Sequence, residues 1–266
     1  MFDVCPLSAA LLLLLPSAQE IEAPRPEVGA AVRELTLHEP PGTRVEHFRI
    51  DPQDAQEAPI GTMRLLVGPD PEAALQGALG MRLEADTTFF AEQVRVLHAE
   101  RVRFEGAEES HTLVWREIRP QAGRTVLIEG SKGGLLRSME TVGGEILRRV
   151  HAGSKSSTFP LVLVEAVRSG EKVPSLVRIY QPLVGEYEEI TVQTYLDSAE
   201  GGEEQVLQLT RPNGDSAGRY VFRAGRLVSF QLQSGGPIAR SVSRVDYEGI
   251  HQEHANERSD GTVAVR

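Results

Sequence analysis

The 266-residue chain has one cysteine, Cys5, which precedes a run of leucines instead of following it. Lipid-anchored exported proteins carry the modified cysteine behind the apolar run, so the anchored arrangement is excluded here. If the leader is cleaved near Ala18, the mature chain has no cysteine. Disulfides, thiolate metal sites and a cysteine nucleophile are then excluded as well. Cations are outnumbered, 28 Lys and Arg against 38 Asp and Glu, for a net charge of −10. A phosphate backbone or an anionic surface repels such a chain on average, so nucleic acid is not an expected partner. A transmembrane segment is lacking too, because the apolar run ending at Leu15 is too short to cross a bilayer.

What is present is an export leader and a β-rich body. Leu11 to Leu15 form an apolar stretch, Pro16 breaks it, and Ser17-Ala18 supply small residues for a signal peptidase. The segment before it departs from the usual pattern in having Asp3 and no Lys or Arg. Residues 1–18 are therefore expected to be a signal peptide and 19–40 a flexible Pro/Glu/Ala linker. Residues 41–250 are expected to form one β-meander domain and 251–266 a disordered polar tail. The expected location is periplasmic or secreted. Hydrophobic residues make up 40% of the chain, enough for a core.

Glycines at 123, 133, 143 and 153 divide the middle into strand-length pieces, and Gly218, Gly225 and Gly235-Gly236 repeat the pattern. Such punctuation marks antiparallel strands joined by tight turns, where glycine accepts positive φ. Val94, Val96, Val102 and Phe104 share one strand parity, and Gln93, Arg95, Arg101 and Arg103 the other. That alternation describes a sheet with one covered face. Ala224-Gly225 reads as a hairpin turn, and Asp70-Pro71-Glu72 as a capped start of a short helix. Residues 158–170 (TFPLVLVEAVRSG) have a helix start, a late Arg168 and a terminal Gly170, although the valines also suit a strand. A helix this apolar needs burial on more than one side. The expected fold is mainly β: one long antiparallel meander of about ten strands, curved into an open half-barrel around a single buried helix, plus one short helix.

The order of leader, meander, apolar helix at Phe159-Pro160 and closing hairpin Tyr220 to Phe230 resembles a known layout. It is similar to bacterial exported proteins of domain-of-unknown-function families whose curved sheet looks like that of the periplasmic lipoprotein carriers. The resemblance spans about residues 40–250 and lies in layout, not in a motif. It implies an apolar-lined half-barrel able to shelter an acyl chain or another amphiphile. It brings no catalytic residues.

Other constellations have plainer readings. His251-Gln252-Glu253-His254 fits neither zincin spacing, and Ser169-Gly170-Glu171-Lys172 follows the helix instead of opening it. Gly130-Ser131-Lys132-Gly133-Gly134 suits a hairpin turn better than a phosphate cradle. Asp51, Asp54 and Glu57 suit a solvated turn better than a calcium loop. His98 falls on the oily parity of its strand, where a core or edge histidine is expected. Arg95, Arg101 and Arg103 read as a solvated face. Trp115, Phe104, Tyr180, Phe222 and Phe230 are either core or the lining of a ligand groove. No catalytic, cofactor or metal residues are assigned. The leading expectation is a non-enzymatic envelope protein binding an acyl chain or amphiphile. The alternative is a structural or protein-interaction module for another envelope protein, with a hydrolase least favoured.

Overall fold

Fifteen strands form a single sheet in a computed structural model of the chain. It describes residues 42–261, apart from 54–56, 91–92, 106–107, 119–122, 132–134, 143, 153–156, 182–185, 200–201 and 233–234. The leader, the whole 19–40 linker and Asp54 lie outside the described residues, as do Lys132 to Gly134, Gly143 and Gly153.

The first half contains β1 (Arg44–Asp51), β2 (Gly61–Pro69), α1 (Pro71–Leu75), β3 (Leu79–Phe89), β4 (Val94–Glu105) and β5 (Glu108–Ile118). It continues through β6 (Arg124–Ser131), β7 (Leu135–Val142) and β8 (Glu145–Ala152). After the short β9 (Ser157–Thr158) comes α2 (Pro160–Arg168), then β10 (Leu176–Gln181) and β11 (Glu186–Ala199). The chain ends with β12 (Gly202–Thr210), β13 (Ser216–Arg223), β14 (Arg226–Gln231), β15 (Ile238–Val242) and α3 (Arg244–Gly261).

Strand order is β8 to β1 in descending sequence, then β15 to β9. Two meanders are thus zipped together by antiparallel pairing of β1 with β15, His47 facing Val242. Among the described strands only β9 departs from the antiparallel rule, lying parallel to β10. The sheet is open: β8 and β9, neighbours along the chain, are its two edges.

Local signals were followed where they were strong. Ala224 and Gly225 take φ of +49° and +72° and join β13 to β14, the mirror-image turn a right-handed hairpin requires. Asp70 accepts the Glu72 amide at 3.0 Å as the cap of α1. The 158–170 segment contains the helix α2 at Pro160–Arg168, whose Leu163, Val164 and Val167 are buried in the main core. Around them lie Phe48, Leu65, Ile190, Leu207, Tyr220 and Phe222, from strands in both meanders. A second cluster joins Leu113 and Trp115 of β5 and Val126 and Ile128 of β6 to Phe159 and to Tyr180 of β10. Strands ten places apart in sheet order touch there only because the sheet curves around α2.

Two expectations are corrected. Fifteen strands replace about ten, since turns such as that between β3 and β4 carry no glycine to mark them. Residues 251–261 belong to α3 and are not a disordered tail. Ser243 caps this helix: its Oγ accepts the Asp246 amide at 3.1 Å and donates to Asp246 Oδ2 at 2.7 Å. Tyr247, His251 and His254 then form one helical stripe against β1, β2 and Phe90. Tyr247 meets His47 at 4.8 Å, His254 stacks on Phe90 at 4.2 Å, and Thr62 Oγ1 bonds His251 Nε2 at 2.8 Å. Among the described residues no helix is long and apolar enough to cross a membrane.

Candidate functional site

The groove residues named from sequence do not converge. Trp115 and Tyr180 pack in the second cluster, while Phe222 and Phe230 belong to the main core, where Phe230 stacks on Tyr220 at 5.7 Å. Phe104 is 46% exposed near the end of β4. Four of the five are therefore packed in the two clusters around α2.

The polar groups inside the sheet are largely engaged in structure. Glu100 of β4 is fully buried, and its two oxygens accept the Leu161 and Val162 amides of α2 at 3.1 and 2.9 Å. Phe159, at the helix start, has no side chain able to cap those amides, so a carboxylate from a distant strand does so. His98 Nε2 lies 2.8 Å from Glu100 Oε1, which places the histidine of the oily parity beside this carboxylate. Burial, and then the Glu100 charge, push the Tyr220 phenol up. At the other end of α2, Arg44 meets Glu165 at 2.7 Å and Arg168 meets Glu46 at 2.7 Å. Burial raises both glutamates above the ordinary range while Arg44 opposes it.

The arginines of β4 are also committed. Arg95 forks onto Asp86 at 2.8 and 2.7 Å, Arg101 meets Glu72 at 2.9 Å, and Arg103 meets Asp70 at 2.7 Å. Asp51, considered for a calcium loop, is buried between Arg49 and Arg240 at 2.8 and 2.6 Å. Ser169 ends α2 and donates to the Glu165 carbonyl at 2.8 Å.

The most exposed part of the sheet is its β8 edge. Residues 145–150 of β8 are all exposed, on both faces. Ile146, Leu147 and Val150 show 56%, 45% and 65% of their surface. Cross-strand partners lie on the same face, so Trp115, Val126, Glu140 and Leu147 form one row on the inner face, running from core to edge. The outer face of the β7–β8 hairpin presents Leu135, Arg137, Ile146, Arg148 and Val150. Long apolar edges are usually blunted or covered in native sheets, because their free amides and carbonyls recruit other strands.

The far end of β8 is held against β7 and β10. His151 accepts or donates a 2.8 Å bond with Ser138 Oγ and sits edge-on to Tyr180 and Tyr187, each at 5.6 Å. Arg178 of β10 donates to the Ala152 carbonyl at 3.3 Å and covers the Tyr187 ring at 5.4 Å. Burial, with Arg149 and Arg178 nearby, lowers the His151 pKa, and Glu186 partly opposes this. The Tyr187 phenol is pushed well up by burial. Sequence reading missed this seam, since nothing local in His151 or Tyr187 says that their strands meet.

The architecture defines a mainly β protein built on one open, unclosed antiparallel sheet. No family model matches the chain, and no curated protein matches it. Among solved structures it is similar to a β-barrel-like protein of a domain of unknown function (DUF1849) from Brucella abortus. That likeness has a TM-score of 0.41 and 8% identity, covering 76% of this chain and 95% of the other.

Proposed function

We propose that this chain is an exported, non-catalytic docking module of the bacterial envelope, and that it takes up an extended protein segment along the free edge of β8. One observation carries the reading: six consecutive edge residues, three of them large and apolar, stand exposed on both faces of a strand that has one strand neighbour among the described residues. Strand addition draws affinity from main-chain hydrogen bonds and selectivity from the alternating side chains. The leucine-rich leader supports export. The engagement of Glu100 and Asp51 in caps and ion pairs supports a non-catalytic role.

The test is photo-crosslinking in the source cells, with the crosslinker at position 146 or 148 and a control at exposed position 203 of β12. Discrete adducts from β8 alone are expected. Equal labelling from all three positions, or none, would overturn the docking strip. A second reading, an acyl-chain carrier, has one observation in its favour: Val142 and Leu147 are exposed on the inner face that also holds Trp115. Saturable quenching of Trp115 by a fluorescent fatty acid would favour it.

A further inference from the structure

We infer that the segment taken up by β8 is an extended strand of the form apolar-x-acid-x-apolar, whose Asp or Glu lies opposite Arg148. The inference rests on the docking reading above and supplies the chemistry of its partner. Val142 and Glu145 close the β7–β8 hairpin across two residues, the loop length whose closing pair is hydrogen-bonded. Ladder bonds alternate from there, so Glu145 and Leu147 bond inward to β7, while the amides and carbonyls of Ile146, Arg148 and Val150 point out of the edge. The side chains of these three residues share the outer face. An antiparallel strand bonded to those groups sets three of its own side chains, each two residues from the next, opposite Ile146, Arg148 and Val150.

Charge selects the middle one. Arg148 of β8 and Arg137 of β7 are exposed diagonal neighbours on the outer face, and neither makes an ion pair or a hydrogen bond among the described residues. Elsewhere on the sheet Arg95, Arg103 and Arg240 meet carboxylates at 2.7, 2.7 and 2.6 Å. A carboxylate opposite Arg148 comes within reach of both guanidiniums, whereas a cation there faces two like charges. On either side of it, Ile146 and Val150 are covered by apolar side chains. Sliding the strand by two residues sets the acid against an aliphatic side chain and an apolar one against Arg148, so the charge and apolar matches weaken together. An anionic lipid surface offers the same charge and apolarity, but it gives the outward amides and carbonyls no partners. A strand meets all three requirements. A single strand pair is a small interface, so the complex is expected to be weak.

Fluorescence anisotropy of labelled peptides titrated with the full chain at low ionic strength tests the inference. The probe carries Val-Thr-Glu-Thr-Val at its centre, and a control peptide has Lys in place of the Glu. The parent should bind the Glu peptide about fivefold or more tightly than the Lys peptide, and Arg148→Glu should reverse that order. N-methylation of the central Glu removes its ladder bond to Arg148 and should weaken binding about tenfold. Equal affinity for the two peptides, or a preference that Arg148→Glu leaves unchanged, overturns the acidic partner. An N-methylated peptide that binds like the unmodified one overturns strand addition. Binding of neither peptide also overturns the inference, the arginines then serving only to blunt the edge. Co-sedimentation with phosphatidylglycerol vesicles, by a chain that does not bind the Glu peptide, overturns it in favour of a lipid surface. If β8-specific adducts still form in cells after any of these failures, the docking strip stands and only the chemistry of its partner is wrong. If none form, both readings fall.

Discussion

Replacing Glu100 tests how α2 is held inside the sheet. Its carboxylate is fully buried and accepts two amides from the first turn of the helix, at 3.1 and 2.9 Å. Glu100→Ala strands both donors away from water, at about 1–3 kcal/mol each, and removes a favourable charge at the positive end of the helix. Against that stands relief of the desolvation the buried carboxylate suffers, several kcal/mol on its own. The larger loss is on the side of the donors, because the site is too deep for water to replace the acceptor, and we expect a net cost of about 3 kcal/mol. For a domain of this size that lowers the melting temperature by roughly 6–12 °C. Glu100→Gln keeps the shape and one acceptor but turns an NH2 toward the second amide, so about 1–2 kcal/mol is expected. Urea unfolding followed through Trp115 is a suitable assay, because this tryptophan packs in the cluster that contains Phe159 at the helix start. An alanine variant within about 0.5 kcal/mol of the parent would refute the reasoning, since the helix amides would then have another acceptor. Equal losses for Gln and Ala would show that charge, and not acceptor count, is what matters.

Val164→Asp should abolish folded expression or cost more than about 4 kcal/mol by thermal melting, because Val164 is buried in the main core with no partner for a carboxylate. Gly61→Ala should cost about 1–3 kcal/mol in urea, since its Cβ would run into the Thr88 carbonyl of the neighbouring strand. Stability should fall on acidification below about pH 6.5, because burial lowers the pKa of His151 and His251. A lowered histidine pKa means the fold prefers the neutral ring, so its contribution is present above the unfolded pKa and lost as pH drops through the folded one. The raised Glu46 and Glu165 act with the opposite sign, contributing when protonated and losing that contribution as pH rises through their folded pKa values. Denaturation at pH 7.5 and 5.5 should show a smaller acid loss for His251→Gln than for the parent.

Legibility followed the range of the interaction. The Ala224-Gly225 turn, the Asp70 cap and the 160–168 helix were readable because each is decided by a few adjacent residues. The start of α3 was equally local: Ser243 and Asp246 have capping-box spacing, but the polar sequence after them hid it. Glu100 also left a trace, an acid on the same parity as Val94, Val96 and Val102, where only a paired carboxylate belongs. Its partners lie 61 and 62 residues away, so the trace could be noticed but not interpreted. The β1–β15 pairing and the identity of the edges depend wholly on strand order, which glycine spacing does not encode. The aromatic residues were read as core or groove lining, because parity assigns a side chain only to a face. It does not say that α2 fills that face.

The bare edge and the filled core have one cause. A fifteen-strand sheet whose edges are neighbours in sequence is one pairing short of closure, and β8 and β10 are the strands that would close it. Between them the chain lays β9 parallel along β10, at Arg178 and Ile179, and then enters the interior as α2. The β10 edge is therefore partly occupied by the segment that delivers the helix, and β8 reaches it only at His151 and Ala152. Among the described residues, 145–150 have no strand on their outer side. Closing the sheet would require displacing β9, and with it the Phe159 anchor and the Glu100 cap just beyond it. Because the helix is tied at both ends, by Glu100 at one and by Arg44 and Glu46 at the other, the exposed edge is a consequence of the packed interior. An edge fixed open in this way stays available to another strand without any rearrangement of the core.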